Sequence, residues 1–77
     1  MDLETAIARV LRIKLAAAGL TLSQWARDNG VERKTAAYQF QKGAAVNLLT
    51  LQRIAETFRA KPSQILAEAE KLVDSAV

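Results

Sequence analysis

The side chains of this sequence that are best suited to binding lie close together near its middle. Arg33, Lys34, Ala37, Tyr38 and Gln41 recur at one-, three- and four-residue steps. If the segment is helical, this spacing puts all five on one continuous face. The face is polar, basic and aromatic, and its polar side chains can donate hydrogen bonds. A helix needed only for stability has little use for such a surface, so we expect it to meet a partner.

Other kinds of chemistry have little support. The chain has no cysteine and no histidine, which removes disulfides, thiolate chemistry and zinc sites built from those residues. It has no glycine-rich phosphate loop. Asp28 and Glu32 are close in sequence, but they flank a predicted turn and have no evident pocket. We therefore expect neither an enzyme nor a metal, and no cofactor or small-molecule ligand is evident.

The distribution of charge points to an anionic partner. Net charge is +3, yet every basic residue except Lys71 lies between Arg9 and Lys61. That stretch holds ten basic and only three acidic residues, so its net charge is +7, while the segments before and after it each carry −2. A basic middle with acidic ends suits a polyanion. The alternative, an ordinary solvated surface, stays open on charge alone.

Size and composition indicate one small globular domain. The chain has 77 residues, of which 51% are hydrophobic and 25% are charged. No apolar run approaches the roughly 20 residues that span a bilayer. The first residues include Asp2 and Glu4 rather than a basic region leading into an apolar stretch, so no signal peptide is visible. We expect no membrane partner and a cytoplasmic location.

Five short helices are predicted to position the basic face, because apolar residues recur at helical steps and no stretch alternates like a strand. The third helix runs from about Glu32 to Lys42, with Ala36 and Phe40 inward and Val31 at its entry. The apolar positions of the first helix are Leu3, Ile7, Val10, Leu11 and Leu15, and those of the second are Leu22, Trp25 and Ala26. Those of the fourth are Leu48, Leu51, Ile54, Ala55 and Phe58, and those of the fifth are Ile65, Leu66, Ala69, Leu72, Val73 and Ala76.

The helix boundaries carry recognisable signals. The first, second and fourth helices have polar caps, which are Asp2, Thr21 in a capping box with Gln24, and Asn47. Pro62 suits the first turn of the fifth helix. Glycines are placed to end the first three helices, at Gly19, Gly30 and Gly43.

The residue pattern resembles the lambda-repressor-like helix-turn-helix family, also called Cro- or XRE-type. The helix pair matches at a small residue, a turn glycine and three apolar residues: Ala26, Gly30, Val31, Ala36 and Phe40. Thr50–Phe58 and Lys61–Leu66 look like the family's fourth helix and the entry to its fifth. The resemblance implies an all-α, compact five-helix domain, with the helix-turn-helix formed by helices two and three. It predicts a single domain over 1–77, with a core of about 3–70 and a C-terminal extension of 71–77.

The resemblance also implies what the basic face would do. In this family the N-terminal half of the third helix enters the major groove of double-stranded DNA. Carried over, the base-reading residues are Arg33, Lys34, Ala37 and Tyr38, and the DNA-backbone contacts are Ser23, Gln24, Gln41, Lys42 and Asn47. Helix capping alone is the alternative for Gln24 and Asn47, and packing against a neighbour is the alternative for Tyr38. Arg9, Arg12 and Lys14 are interpreted as a solvated face, and Trp25 as a core residue.

Three positions depart from the family pattern. Leu22 stands where glutamine is frequent, Trp25 stands where leucine is usual, and Gln39 stands where a small or apolar residue is common. The segment after the third helix also lacks the frequent Lys/Arg-Pro element. These departures concern the details of docking on DNA more than the fold.

The expected function is sequence-specific DNA binding by a transcriptional regulator, a repressor of phage, plasmid or mobile-element type. A homodimer on DNA is expected to pair through the apolar residues at the C-terminus, namely Leu72, Val73, Ala76 and Val77. The competing interpretation wraps these residues back on the first helix. The alternative function is a helical protein-interaction module, of antirepressor or antitoxin kind, with little DNA specificity.

Overall fold

The computed structural model describes residues 1–42 and 47–75 and contains only helices within them. The elements are α1 (Leu3–Ala17), α2 (Leu22–Asp28), α3 (Arg33–Lys42), α4 (Leu48–Thr57) and α5 (Pro62–Ser75). The prediction of an all-helical chain with five helices is confirmed. None of these helices is both long and apolar enough to cross a membrane.

The helix starts follow the polar caps that the sequence indicates. Asp2 Oδ1 accepts from the Thr5 backbone N–H at 2.7 Å, and Asn47 Oδ1 accepts from that of Thr50 at 2.8 Å. At α2, Thr21 and Gln24 form the reciprocal capping box that was predicted. Each cap satisfies a backbone donor that has no partner inside its own helix. Hydrogen bonds from the Thr5 side chain and backbone lower the pKa of Asp2.

Three helices end in the same way, and only two of these ends use glycine. Gly19 and Gly30 have φ of +71° and +65°, as expected for residues that follow a helix. After α4 the same position is filled by Arg59 at φ +55°. There the backbone N–H of Ala60 donates to Ala55 O at 2.9 Å, which closes the turn. No sequence signal indicated this third left-handed residue. The predicted end of α3 at Gly43 lies outside the described residues.

One core joins all five helices around a group of aromatic rings. Phe40 of α3 is 1% exposed, and its ring centroid lies 4.8 Å from that of Trp25 in an edge-to-face arrangement. Phe58 packs on its other side, with centroids 6.4 Å apart. Trp25 is a core residue, as predicted. The other large buried side chains are Ile7, Val10, Leu11, Leu15, Leu51, Ile54 and Ile65.

Candidate functional site

The outer face of α3 lies on the opposite side from this core. Arg33, Lys34, Tyr38 and Gln41 are exposed, and Ala37 is half-buried among them. The inward residues include Ala36 and Phe40, as predicted, but also Gln39, which sequence reasoning did not place inward. Helix α3 contains three basic residues and no acidic one. The outer face therefore combines positive charge with several hydrogen-bond donors.

Arg33 is held at the start of this face by a residue of α2. Its Nε donates to Ser23 Oγ at 2.8 Å. The two terminal nitrogens of the guanidinium make no hydrogen bond to another described residue. This contact brings together a residue predicted to read bases and a residue predicted to contact phosphate. Fixing Nε restricts the rotamers of a long side chain, and it leaves the end of the fork free to meet a ligand.

Arg12 fixes the other end of α3 from an exposed position on α1, where the sequence predicted a solvated face. The prediction did not include a tertiary contact. Arg12 Nη1 donates to the carbonyl of Phe40 at 2.8 Å, with a longer contact of 3.5 Å to the carbonyl of Gln41. These carbonyls belong to the last turn of α3, where acceptors lack helical partners and a cation is favourable. Arg12 therefore ties the C-terminal end of α3 to α1.

Lys14, whose side chain is partly exposed, also has a partner that the sequence did not predict. Its Nζ lies 3.4 Å from Glu68 Oε1, which forms an ion pair between α1 and α5. Both side chains are partly exposed, so the pair contributes little to stability. It nevertheless takes Lys14 out of the set of cations free to meet a partner. Arg9 is exposed, as predicted.

The residues predicted to contact a DNA backbone differ in the hydrogen bonds that they already make within the chain. The side-chain oxygen of Gln24 accepts from the Thr21 backbone N–H at 2.8 Å, and Asn47 caps α4. The amide nitrogens of both side chains remain able to donate. Gln41 and Lys42 are exposed at the end of α3, on the same side as the outer face. The linking residues 43–46 lie outside the described part of the chain.

The C-terminal residues assigned to dimerisation are partly used within the chain. Leu72 and Val73 are half-buried and pack against the core, which is what the competing interpretation expects. Ala76 and Val77 lie outside the described residues. Beside Leu72, a shallow apolar groove between α1 and α5 includes Ile13, which is 56% exposed. Some apolar surface therefore remains at this end, and pairing through it stays a prediction.

Comparison of the chain with protein-family models, curated proteins and solved structures gave no match. Within residues 1–42 and 47–75, no group of three or more acidic, histidine or cysteine side chains is arranged to hold a metal ion. The outer face of α3 and the side chains around it form the candidate functional site.

Proposed function

We propose that the chain binds double-stranded DNA sequence-specifically, with the outer face of α3 in the major groove. The observation that carries this proposal is the exposure of Arg33, Lys34, Tyr38 and Gln41 on a helix without acidic residues. The major groove of B-DNA is wide enough to admit an α-helix and presents a distinct pattern of donors and acceptors for each base pair. A rigid helix with donors along one side fits that pattern.

Arg33 is the residue we assign to base reading first. A guanidinium can donate two hydrogen bonds to the O6 and N7 atoms of guanine, which contributes about 1–3 kcal/mol of discrimination against other bases. The bond from Arg33 Nε to Ser23 supports this role, because it prepares the side chain before DNA arrives. Lys34 is the second candidate for a guanine, and the methyl group of Ala37 suits a thymine methyl.

Phosphate contacts are assigned to the edges of the same face. Lys42 and Gln41 stand at one end of α3, and Ser23 and Gln24 stand near the other. Such contacts fix the docking and carry little sequence information. They make binding depend on salt, because each neutralised phosphate releases counterions.

Selection of duplexes from a random pool, followed by sequencing, tests the proposal. We expect enrichment of a short motif that contains guanine, and an affinity that falls steeply with salt. Recovery of no motif, together with salt-independent or absent binding to any duplex, would overturn it. The test needs no knowledge of the natural site.

A protein-interaction module is the second candidate, and exposed leucines favour it. At the start of α4, Leu48 and Leu49 are 71% and 58% exposed, an unusual arrangement for two adjacent large apolar residues. Binding to a protein through them would be apolar and nearly independent of salt. The salt dependence of binding therefore separates the two candidates.

We further propose that the protein is a transcriptional regulator, a repressor acting in the cytoplasm as a homodimer on DNA. One short reading helix contacts few base pairs, and specific sites need a larger interface than it supplies. Two copies related by a two-fold axis would place their reading helices about 34 Å apart on an inverted repeat. The selected motif then has two half-sites with a spacing near one turn of DNA.

A further inference from the structure

A groove of about 490 Å³ lies between the turn after α2, one flank of α3 and the facing side of α4. It is separate from the outer face of α3, because the α3 residues that line it are Thr35 and Gln39. Its wall includes the apolar side chains of Trp25, Val31 and Ile54. Small-molecule sites in proteins usually measure about 300–1,000 Å³ and combine such a wall with a few polar groups.

Gln39 supplies one polar group from within the structure. It is 9% exposed and is the only buried polar residue in the described part of the chain. Its side chain makes no hydrogen bond to another described residue, and it lines the groove. No buried side-chain nitrogen or oxygen atom of the described residues lacks a partner, so the Gln39 amide is reached by solvent from the groove. A polar group of a molecule seated in the groove would replace that water.

Arg53 gives the groove its charge. It lies on α4 at the edge of the groove and forms no ion pair within the described residues. None of the side chains lining the groove is acidic, and the hydroxyl groups of Thr35 and Thr50 line it too. A guanidinium binds a carboxylate through two parallel hydrogen bonds, a geometry that a planar organic acid satisfies.

We propose that this groove binds a small organic acid whose apolar body packs on Val31 and the accessible edge of Trp25 and whose carboxylate pairs with Arg53. Gln39 then hydrogen-bonds the ligand at the inner end. The apolar wall distinguishes this site from one that takes a bare anion, because phosphate makes no use of apolar surface. The site does not depend on DNA binding, so a failure of either proposal leaves the other unaffected.

Titration of the full chain with phenylacetate, read by tryptophan fluorescence, tests the site. Trp25 is the only tryptophan and lines the groove, so a bound molecule changes its emission directly. We expect a saturable change with phenylacetate, and at least about tenfold weaker binding of phenylacetamide, which lacks the charge. Equal binding of phenylacetamide, equal binding of inorganic phosphate, or no saturable response would overturn the proposal.

Two substitutions and a control locate the response. Arg53→Gln removes the charge from an exposed position, and Gln39→Leu removes the buried amide at similar volume; each should weaken phenylacetate binding by about tenfold. Arg9→Gln removes an exposed cation on α1 away from the groove and should change nothing. A helical circular dichroism spectrum checks that each variant is folded. Unchanged binding in both groove variants, or equal loss in Arg9→Gln, contradicts the assignment.

Discussion

The indole nitrogen of Trp25 donates a hydrogen bond to Thr57 Oγ1 at 2.9 Å, which links α2 to the last residue of α4. The Thr57 hydroxyl in turn donates to the carbonyl of Ile54. Trp25 is 2% exposed, so its N–H has little access to water. A buried tryptophan next to α3 is thereby both packed and satisfied.

Replacement of Thr57 should therefore destabilise the fold through Trp25. Thr57→Val keeps the shape but removes the acceptor, and we expect a loss of about 1–3 kcal/mol in the free energy of unfolding. Thr57→Ser keeps the hydroxyl and should cost less. Urea denaturation measures both. If the cost of Thr57→Val is the same in a Trp25→Phe background, the hydrogen bond is not its cause.

Base reading by α3 predicts unequal effects on specific and random DNA. Arg33→Ala and Lys34→Ala should weaken binding to the selected site more than binding to random duplexes. Lys42→Ala should weaken both alike and reduce the salt slope by about one. Titration of labelled duplexes at several salt concentrations measures these effects. Equal losses on both DNAs for all three variants would mean that the reading helix is misassigned.

Ser23 should act on specificity through Arg33. With Ser23→Ala, the guanidinium loses its fixed contact, so the preference for guanine should fall, in addition to a loss on all duplexes from the phosphate contact assigned to Ser23. In an Arg33→Ala background, Ser23→Ala should have no further effect on the preference. Additive losses of preference in the double variant would instead indicate that Ser23 affects base preference independently of Arg33.

Arg12 should stabilise the C-terminal end of α3. Arg12→Gln removes the cation of α1 that contacts the last turn of α3. A loss of about 1 kcal/mol in the free energy of unfolding is expected at this partly exposed position. Arg12→Lys keeps the charge but not the planar guanidinium. Its stability should lie between that of the unchanged protein and that of Arg12→Gln. Amide hydrogen exchange at the end of α3 should be slowest in the unchanged protein, faster in Arg12→Lys and fastest in Arg12→Gln. Protection there that does not change with either variant would show that α3 is held by its apolar face alone.

The left-handed residues predict opposite effects of glycine and alanine. Arg59→Gly should stabilise the protein by about 1 kcal/mol, because φ +55° is costly for a residue with a Cβ. Gly30→Ala should destabilise it by about the same amount. A Cβ at Gly30 would meet no atom within 4 Å, so backbone strain is the cause there. Thermal unfolding of the two variants checks the signs.

Truncation separates the two uses of the C-terminal segment. A chain that ends at Ser75 keeps Leu72 and Val73 against the core and removes only two residues. A chain that ends at Lys71 removes that packing as well, and we expect it to be less stable. If the segment pairs two subunits, the chain that ends at Lys71 stays folded and loses cooperative binding to an inverted repeat. Full cooperativity in a folded chain ending at Lys71 would place the dimer contact elsewhere.

The sequence alone determined the local features of this fold. Helical spacing, the Asp2, Thr21 and Asn47 caps and the left-handed glycines at 19 and 30 were all predictable. Each depends on interactions within about five residues of the chain, so the residues involved can be read together. The outer face of α3 follows from the same local periodicity.

Only the tertiary structure decided which distant side chains meet. Arg12 reaches a carbonyl 28 residues away, and Trp25 reaches a hydroxyl 32 residues away. The burial of Gln39 depends likewise on how α3 packs against its neighbours. Such contacts depend on how the helices pack, and no pattern of spacing within one helix specifies its neighbour. Arg59 is the local exception, because it takes a left-handed conformation that its residue type opposes, in a turn closed by the bond from Ala60 N–H to Ala55 O.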